Sequence, residues 1–96
     1  MKKVVFVVII EEISNQEMYD NYIRQVAKII QSHNGEYIAR SNKIMPFSGS
    51  RPERSVIIGF DSMEKARKCF LSEEYEEIKH LRENSTKSRA FLIENA

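Results

Sequence analysis

Apolar residues run unbroken from Val4 to Ile10. The run is rich in β-branched side chains and does not alternate, which predicts a strand buried on both faces. The period then changes. Tyr19, Tyr22, Ile23, Val26, Ile29, Ile30 and His33 recur at helical spacing and form one stripe. Ser14-Asn15-Gln16-Glu17 reads as a capping box opening this helix. Asn34-Gly35 reads as its end, with the glycine taking the left-handed conformation. Glu36 to Asn42 predicts a second strand, with Tyr37, Ala39 and Ser41 on one face and Ile38 and Arg40 on the other. Lys43 to Glu53 holds Pro46, Gly49 and Pro52 and reads as a loop. Arg54 to Phe60 is a third, mostly apolar strand. Asp61 and Glu64 form a second capping box, opening a helix that buries Met63, Ala66, Cys69 and Phe70. Ser72 caps a fresh helical segment with Tyr75, Ile78, Leu81 and Arg82 on one stripe. Arg89 to Glu94 is the last strand.

The order is β-α-β-β-α-β over a single domain, residues 1–96. Its two βαβ halves predict an α+β, ferredoxin-like protomer: a four-stranded antiparallel sheet with two helices on one face. Two helices cover only one sheet face, yet the first, third and last strands carry apolar residues on both. A patch larger than about 300–600 Å² is unusual on a monomer. A second copy packed sheet to sheet removes it, and a two-fold dimer closes on itself. The expected partner is therefore the protein itself; the alternative is a monomer whose second face is covered by the loop 43–53.

The 96 residues carry 15 basic and 14 acidic side chains, spread evenly, for a net charge of +1. This disfavours a nucleic-acid partner. The third strand, Arg54-Ser55-Val56-Ile57-Ile58-Gly59-Phe60, also lacks the aromatic pattern of RNA-recognition modules sharing this element order. The short apolar run near the start is followed at once by Glu11 and Glu12, unlike a signal peptide, and no stretch nears the roughly 20 apolar residues a membrane span needs. The lone cysteine, Cys69, excludes an internal disulfide. A cytoplasmic protein with no membrane partner is expected.

Candidate chemistry is sparse. There is no phosphate-cradling glycine loop and no nucleophile elbow. The two histidines lack metal-ligand spacing, so neither a metal nor a cofactor is expected. His33, in the last turn of its helix, is the one nominee for a catalytic base at neutral pH; the alternative is a capping role. Arg40 and Arg54 lie near the ends of adjacent strands, where guanidinium forks suit a carboxylate or enolate. The alternative is ion pairing with Glu36, Glu53 or Glu11. Tyr22 and Tyr75 are weaker candidates to line a ligand pocket. Arg51 and His80 read as solvated, Arg82 as a surface contact and Cys69 as a small buried hydrophobe. The expected ligand is a small organic anion or polar aromatic.

The residues also resemble a known family. The apolar first strand, Tyr22, His33-Asn34-Gly35-Glu36-Tyr37 and Arg40 carry the first part of the likeness. Gly49, Pro52-Glu53-Arg54, Phe60-Asp61-Ser62, Ala66, Ser72-Glu73-Glu74-Tyr75, Leu81-Arg82 and Ser88-Arg89 carry the rest. Their order and spacing resemble the domain of unknown function 1330 family of the dimeric α/β-barrel superfamily. The resemblance implies a ferredoxin-like protomer and a sheet-to-sheet homodimer. The superfamily includes cofactor-free monooxygenases, lactone isomerases and haem enzymes, while this family has no assigned reaction. Asn34-Gly35 stands where many members have two glycines. Ser50 and Arg51 stand where many have an acidic residue and a tryptophan, which implies a different ligand if that segment lines the pocket.

Overall fold

The structure, a computed structural model, describes residues 2–95. Met1 and Ala96, the two ends of the domain expected over 1–96, lie outside the described residues. Strands β1 (Val4–Ile13), β2 (Glu36–Ser41), β3 (Arg54–Phe60) and β4 (Thr86–Glu94) form one antiparallel sheet in the order β2-β3-β1-β4. Helices α1 (Gln16–Ser32), α2 (Met63–Phe70) and α3 (Glu73–Glu83) connect them. The α+β, ferredoxin-like arrangement is the expected one, with the second crossover split into two helices at Leu71-Ser72.

Alternation along β1 sorts its side chains. Val4, Phe6, Val8 and Ile10 are buried beneath the helices, with Ile58 and Phe60 of β3 beside them. Tyr19, Tyr22, Val26, Ile29 and Ile30 of α1 meet them from above, and Ala66, Cys69, Tyr75 and Ile78 complete the core from α2 and α3. Phe70 joins the parts: its ring stacks on Phe6 at 3.8 Å and meets Phe60 and Tyr75 edge-on.

Several local expectations are corrected. Asn15, not Ser14, caps α1, its side chain accepting from the Met18 amide at 3.1 Å. The reason is that β1 runs on to Ile13 and Ser14 forms the bend that follows, tied to Ser85: its hydroxyl donates to the Ser85 carbonyl. Ser62, not Asp61, caps α2. The Asp61 carboxylate is held by Lys2 at 3.1 Å, which keeps it below the usual carboxylate range. Asn34, not Gly35, takes the left-handed position after α1, with φ 60°. Gly35 is required for a different reason: a Cβ there would lie 2.7 Å from Ile30 Cγ2 and 2.9 Å from Phe60 Cε1. β4 starts at Thr86 rather than Arg89, because the longer β1 brings Ile13 opposite Thr86 across an irregularity between Ile10 and Glu12. β2 ends at Ser41, one residue early.

The other sheet face has no helix on it. Val7 pairs with Ile57 and Phe91, and Val5 with Ile93, all on that face. Phe91 and Ile93 remain 40% and 48% exposed. On the loop from 42 to 53, Phe47 is 97% exposed. Arg51 does more than sit in solvent there. Its guanidinium donates to the Asn42 and Ile44 carbonyls and ties the loop back on itself.

Candidate functional site

A cavity lies between α1 and the sheet, closed by Phe70 and Arg82. Phe6, Val8, Val26, Val56, Ile58 and Phe70 give it apolar walls. Of about 440 Å³ of unfilled space, about 30 Å³ admits the centre of a water molecule. That is room for one or two waters. Tyr19, Tyr22 and Tyr37 also line it, as do three arginines, Arg40, Arg54 and Arg82.

Register explains two of those arginines. Arg54 pairs with Ile10, a residue of the helix-covered face, so its side chain enters the cavity from the end of β3. Arg40 arrives differently. Uninterrupted alternation, as the sequence predicts, would put it on the same face as Ile38 and opposite to Tyr37. Instead the pairing slips: Tyr37 lies opposite Ile58, while Ala39 lies opposite Ile57. Ile38 is the extra residue of a β-bulge, and a bulge reverses the alternation beyond it. Arg40 therefore lies opposite Val56, on the same face as Tyr37, and its guanidinium carbon sits 4.1 Å over the Tyr37 ring centroid. That spacing is a cation–π contact.

Arg82 was expected at the surface and is buried, 9% exposed. One Nη donates to Ser88 Oγ at 3.0 Å. Ser88, like Arg54, pairs with Ile10, from the opposite side of β1. Arg54 thus reaches the cavity from β3, and Arg82 reaches it from α3, braced on β4 through Ser88. The Nε atoms of both Arg54 and Arg82 are buried without a hydrogen-bond partner among the described residues.

No carboxylate lines the cavity. Two of the acidic partners proposed for Arg40 and Arg54 are engaged elsewhere. Glu53 accepts from the Ile13 amide at 2.8 Å, and Glu11 faces Arg89. Asp20 and Glu53 line a neighbouring cleft beside Arg54, yet no ion pair joins them to it among the described residues.

The protein's four tyrosines converge here. Tyr22 lines the cavity, and its hydroxyl lies 2.9 Å from that of Tyr75 behind it. Burial pushes the Tyr22 hydroxyl well above the usual phenol range, and the Tyr75 hydroxyl beside it adds to the shift. Burial raises Tyr19 as well, opposed by the nearby charges of Arg54 and Arg82. Tyr37 is raised by burial against the charge of Arg40. At neutral pH all three are neutral donors. Tyr19, Tyr37 and Arg82 are the polar cavity residues that sequence reasoning did not nominate. Arg82 shares a helical stripe with Tyr75 and Ile78, and that periodicity was the available signal.

His33 is not brought to this cavity. It caps the C-terminus of α1, and its Nδ1 lies 2.9 Å from the Ile29 carbonyl, which fixes the proton on that nitrogen. Cys69 is fully buried, and burial, with Glu74 adding, pushes its thiol up to about 12. Among the described residues no cluster has the makings of a metal site, and no helix is long and apolar enough to cross a membrane.

The family described as a domain of unknown function, DUF1330, matches residues 4–96. No curated protein matches significantly. Among solved structures, a protein of unknown function from Rhodopseudomonas palustris is similar, with a TM-score of 0.79 at 12% identity, covering 100% of this chain and 85% of that one. SnoaB, a cofactor-independent oxygenase from Streptomyces nogalater, is similar at TM-score 0.70 and 9% identity, covering 97% and 92%. An ethyl tert-butyl ether degradation (EthD) family protein from Bacillus halodurans is similar at TM-score 0.66 and 13% identity, covering 100% of both. Identities this low speak to the fold.

Proposed function

The chain belongs to the domain of unknown function 1330 family, and from that footing we propose that it is a cytoplasmic homodimer that binds a small organic anion. One observation carries the ligand class. Three guanidiniums, of buried Arg82, half-buried Arg54 and exposed Arg40, line an apolar, aromatic cavity with no carboxylate among the described residues. Arginine is charged at every physiological pH, and burying such charge without a counter-ion is costly. An anionic guest offsets that cost, and the apolar walls ask that the guest carry an apolar or aromatic body. Arg40 and Arg54 are its anchors, and Tyr22 and Tyr75 its hydroxyl contacts. What supports the dimer is the uncovered apolar sheet face.

The activity that fits best is that of a cofactor-independent oxygenase or isomerase acting through an enolate, because guanidiniums stabilise an enolate as they do a carboxylate. The fold likeness to SnoaB supports this by analogy alone. A second reading is a non-catalytic ligand-sensing or structural dimer. The observation favouring it is the narrowness of the cavity, with only about 30 Å³ open to a water centre.

Native mass spectrometry of the purified protein, followed by benzoate titration of the wild type, Arg40→Ala and Arg54→Ala, tests both. A dimer that binds benzoate, with affinity falling at least about tenfold in each variant, is the expected result. Benzoate binding that survives in both variants removes the anchor assignment. A dimer that binds no organic anion leaves the structural reading.

A further inference from the structure

We infer that Arg82 and the Tyr22–Tyr75 hydroxyl pair form an oxyanion-binding cradle at the inner end of the cavity, selective for an oxyanion borne on an apolar body. This rests on the organic-anion reading of the cavity and adds the group that selects among anions.

The argument is an accounting of protons. A phenol has one proton to donate, and a guanidinium has five and accepts none. The Tyr22 and Tyr75 hydroxyls, 2.9 Å apart, share one hydrogen bond, which uses one of their two protons. The other proton has no protein acceptor among the described residues. Arg82 cannot supply one. Of its own donors, one Nη finds Ser88, and its buried Nε finds nothing. Both tyrosines and the arginine are at least nine-tenths buried, so bulk water does not absorb the surplus. The two phenol oxygens can accept from Arg82, which lies against both, yet the cluster still holds more donors than acceptors. One or two waters in the cavity can accept the surplus protons, but only an oxyanion also balances the charge: its lone pairs take the free phenol proton and the Nε–H, and its charge offsets the guanidinium.

The walls then discriminate between anions. Tyr22 opens onto a cavity whose neighbouring surface is Phe6, Val8 and Phe70, where inorganic sulfate would be stripped of water without compensation. A benzoate or phenolate exceeds the space for one or two waters, so the walls must part to seat its ring against those side chains and its oxygen at the cradle. Arg40, exposed at the sheet edge, meets the ligand nearer the mouth.

The test titrates benzoate, para-nitrophenol and sulfate into wild type, Arg82→Met, Tyr22→Phe and Arg54→Ala, with thermal melts reporting the fold. Wild type is expected to bind benzoate at least about tenfold more tightly than sulfate, and to bind para-nitrophenol as its yellow phenolate, releasing the proton to solvent. Tyr22→Phe, which keeps the ring in place, is expected to lose several-fold in affinity. Arg82→Met is expected to lose about tenfold or more and to shift bound para-nitrophenol towards its colourless form. If none of the probes binds the wild type, the organic-anion reading fails and this one with it. If benzoate binding falls in Arg54→Ala but is unmoved in both Arg82→Met and Tyr22→Phe, the cradle alone is overturned. Equal affinity for sulfate and benzoate overturns the selectivity. Should Arg82→Met fail to melt cooperatively, Tyr22→Phe decides.

Discussion

The guanidinium of Arg40 lies 4.1 Å over the ring of Tyr37, three residues earlier in the same strand. In an unbroken strand, residues three apart face opposite ways. The contact exists because Ile38 bulges out of the pairing with β3. Tyr37→Leu is therefore expected to release Arg40 and cost about 0.5–1 kcal/mol from the lost cation–π contact. Benzoate affinity should fall with it. Urea unfolding and titration on the same variant check both, and an unchanged affinity would show that the ring does not position the guanidinium.

The turn after α1 divides two duties between neighbours. Gly35→Ala is expected to destabilise by about 1–3 kcal/mol, because the added methyl meets Ile30 and Phe60 in a packed core. Asn34→Gly is expected to be neutral or slightly stabilising, since Asn34 holds the left-handed backbone that glycine adopts freely. Chemical denaturation of the two variants distinguishes them; the reverse ranking would show that Gly35 has room for a methyl and that the Asn34 side chain stabilises the turn.

Cys69 gives a pH dependence with a definite sign. Its thiol moves from an ordinary 9.0 up to about 12 in the folded protein, through burial and then Glu74. Above pH 9 the unfolded chain loses this proton while the folded chain keeps it, so the unfolded state binds fewer protons and stability falls. The contribution is complete below about pH 9 and is lost as pH rises towards about 12. Urea midpoints across that window should fall less steeply for Cys69→Ala than for wild type. Parallel slopes would assign the alkaline loss to other groups, the raised tyrosines first among them.

Removing a buried charge that lacks a counter-ion need not weaken the fold. Arg82→Met is expected to leave unfolding stability unchanged or raise it by about 1–2 kcal/mol, as happens when unpaired or poorly paired buried ions give way to apolar side chains. Equilibrium urea unfolding of ligand-free protein measures this. A loss of several kcal/mol would make Arg82 a structural brace through Ser88.

The open sheet face predicts assembly. Phe91→Lys and Ile93→Lys place charges on exposed apolar positions, so a monomer should accept them with little change in melting temperature. A sheet-to-sheet dimer should dissociate. Sedimentation velocity at matched concentrations separates the cases, and an assembly state unmoved by both substitutions would locate any interface elsewhere.

The element order was legible because it depends on short-range periodicity. The β-branched run from Val4, the helical stripe from Tyr19 to Ile30 and the turn-forming loop after Asn42 each carry their own signal. The caps slipped by one residue because both candidates at each site are good caps, and the choice fell to long-range contacts. Ser14 was claimed by Ser85, and Asp61 by Lys2. Arg54 was readable as a cavity residue from its place at the head of an apolar strand.

By itself the sequence determined the kinds and order of the elements, and the surplus of apolar strand surface, because a side chain's period is a local property of its own segment. The tertiary structure decided what the cavity contains. Only the pairing of β2 with β3 shows that Ile38 bulges and that Arg40 turns inward. Only the packing of α3 on α1 brings the Tyr75 hydroxyl to Tyr22, 53 residues away, and buries Arg82 beside them. Register and helix docking are set by contacts distant in the chain, and no window of neighbouring residues carries them.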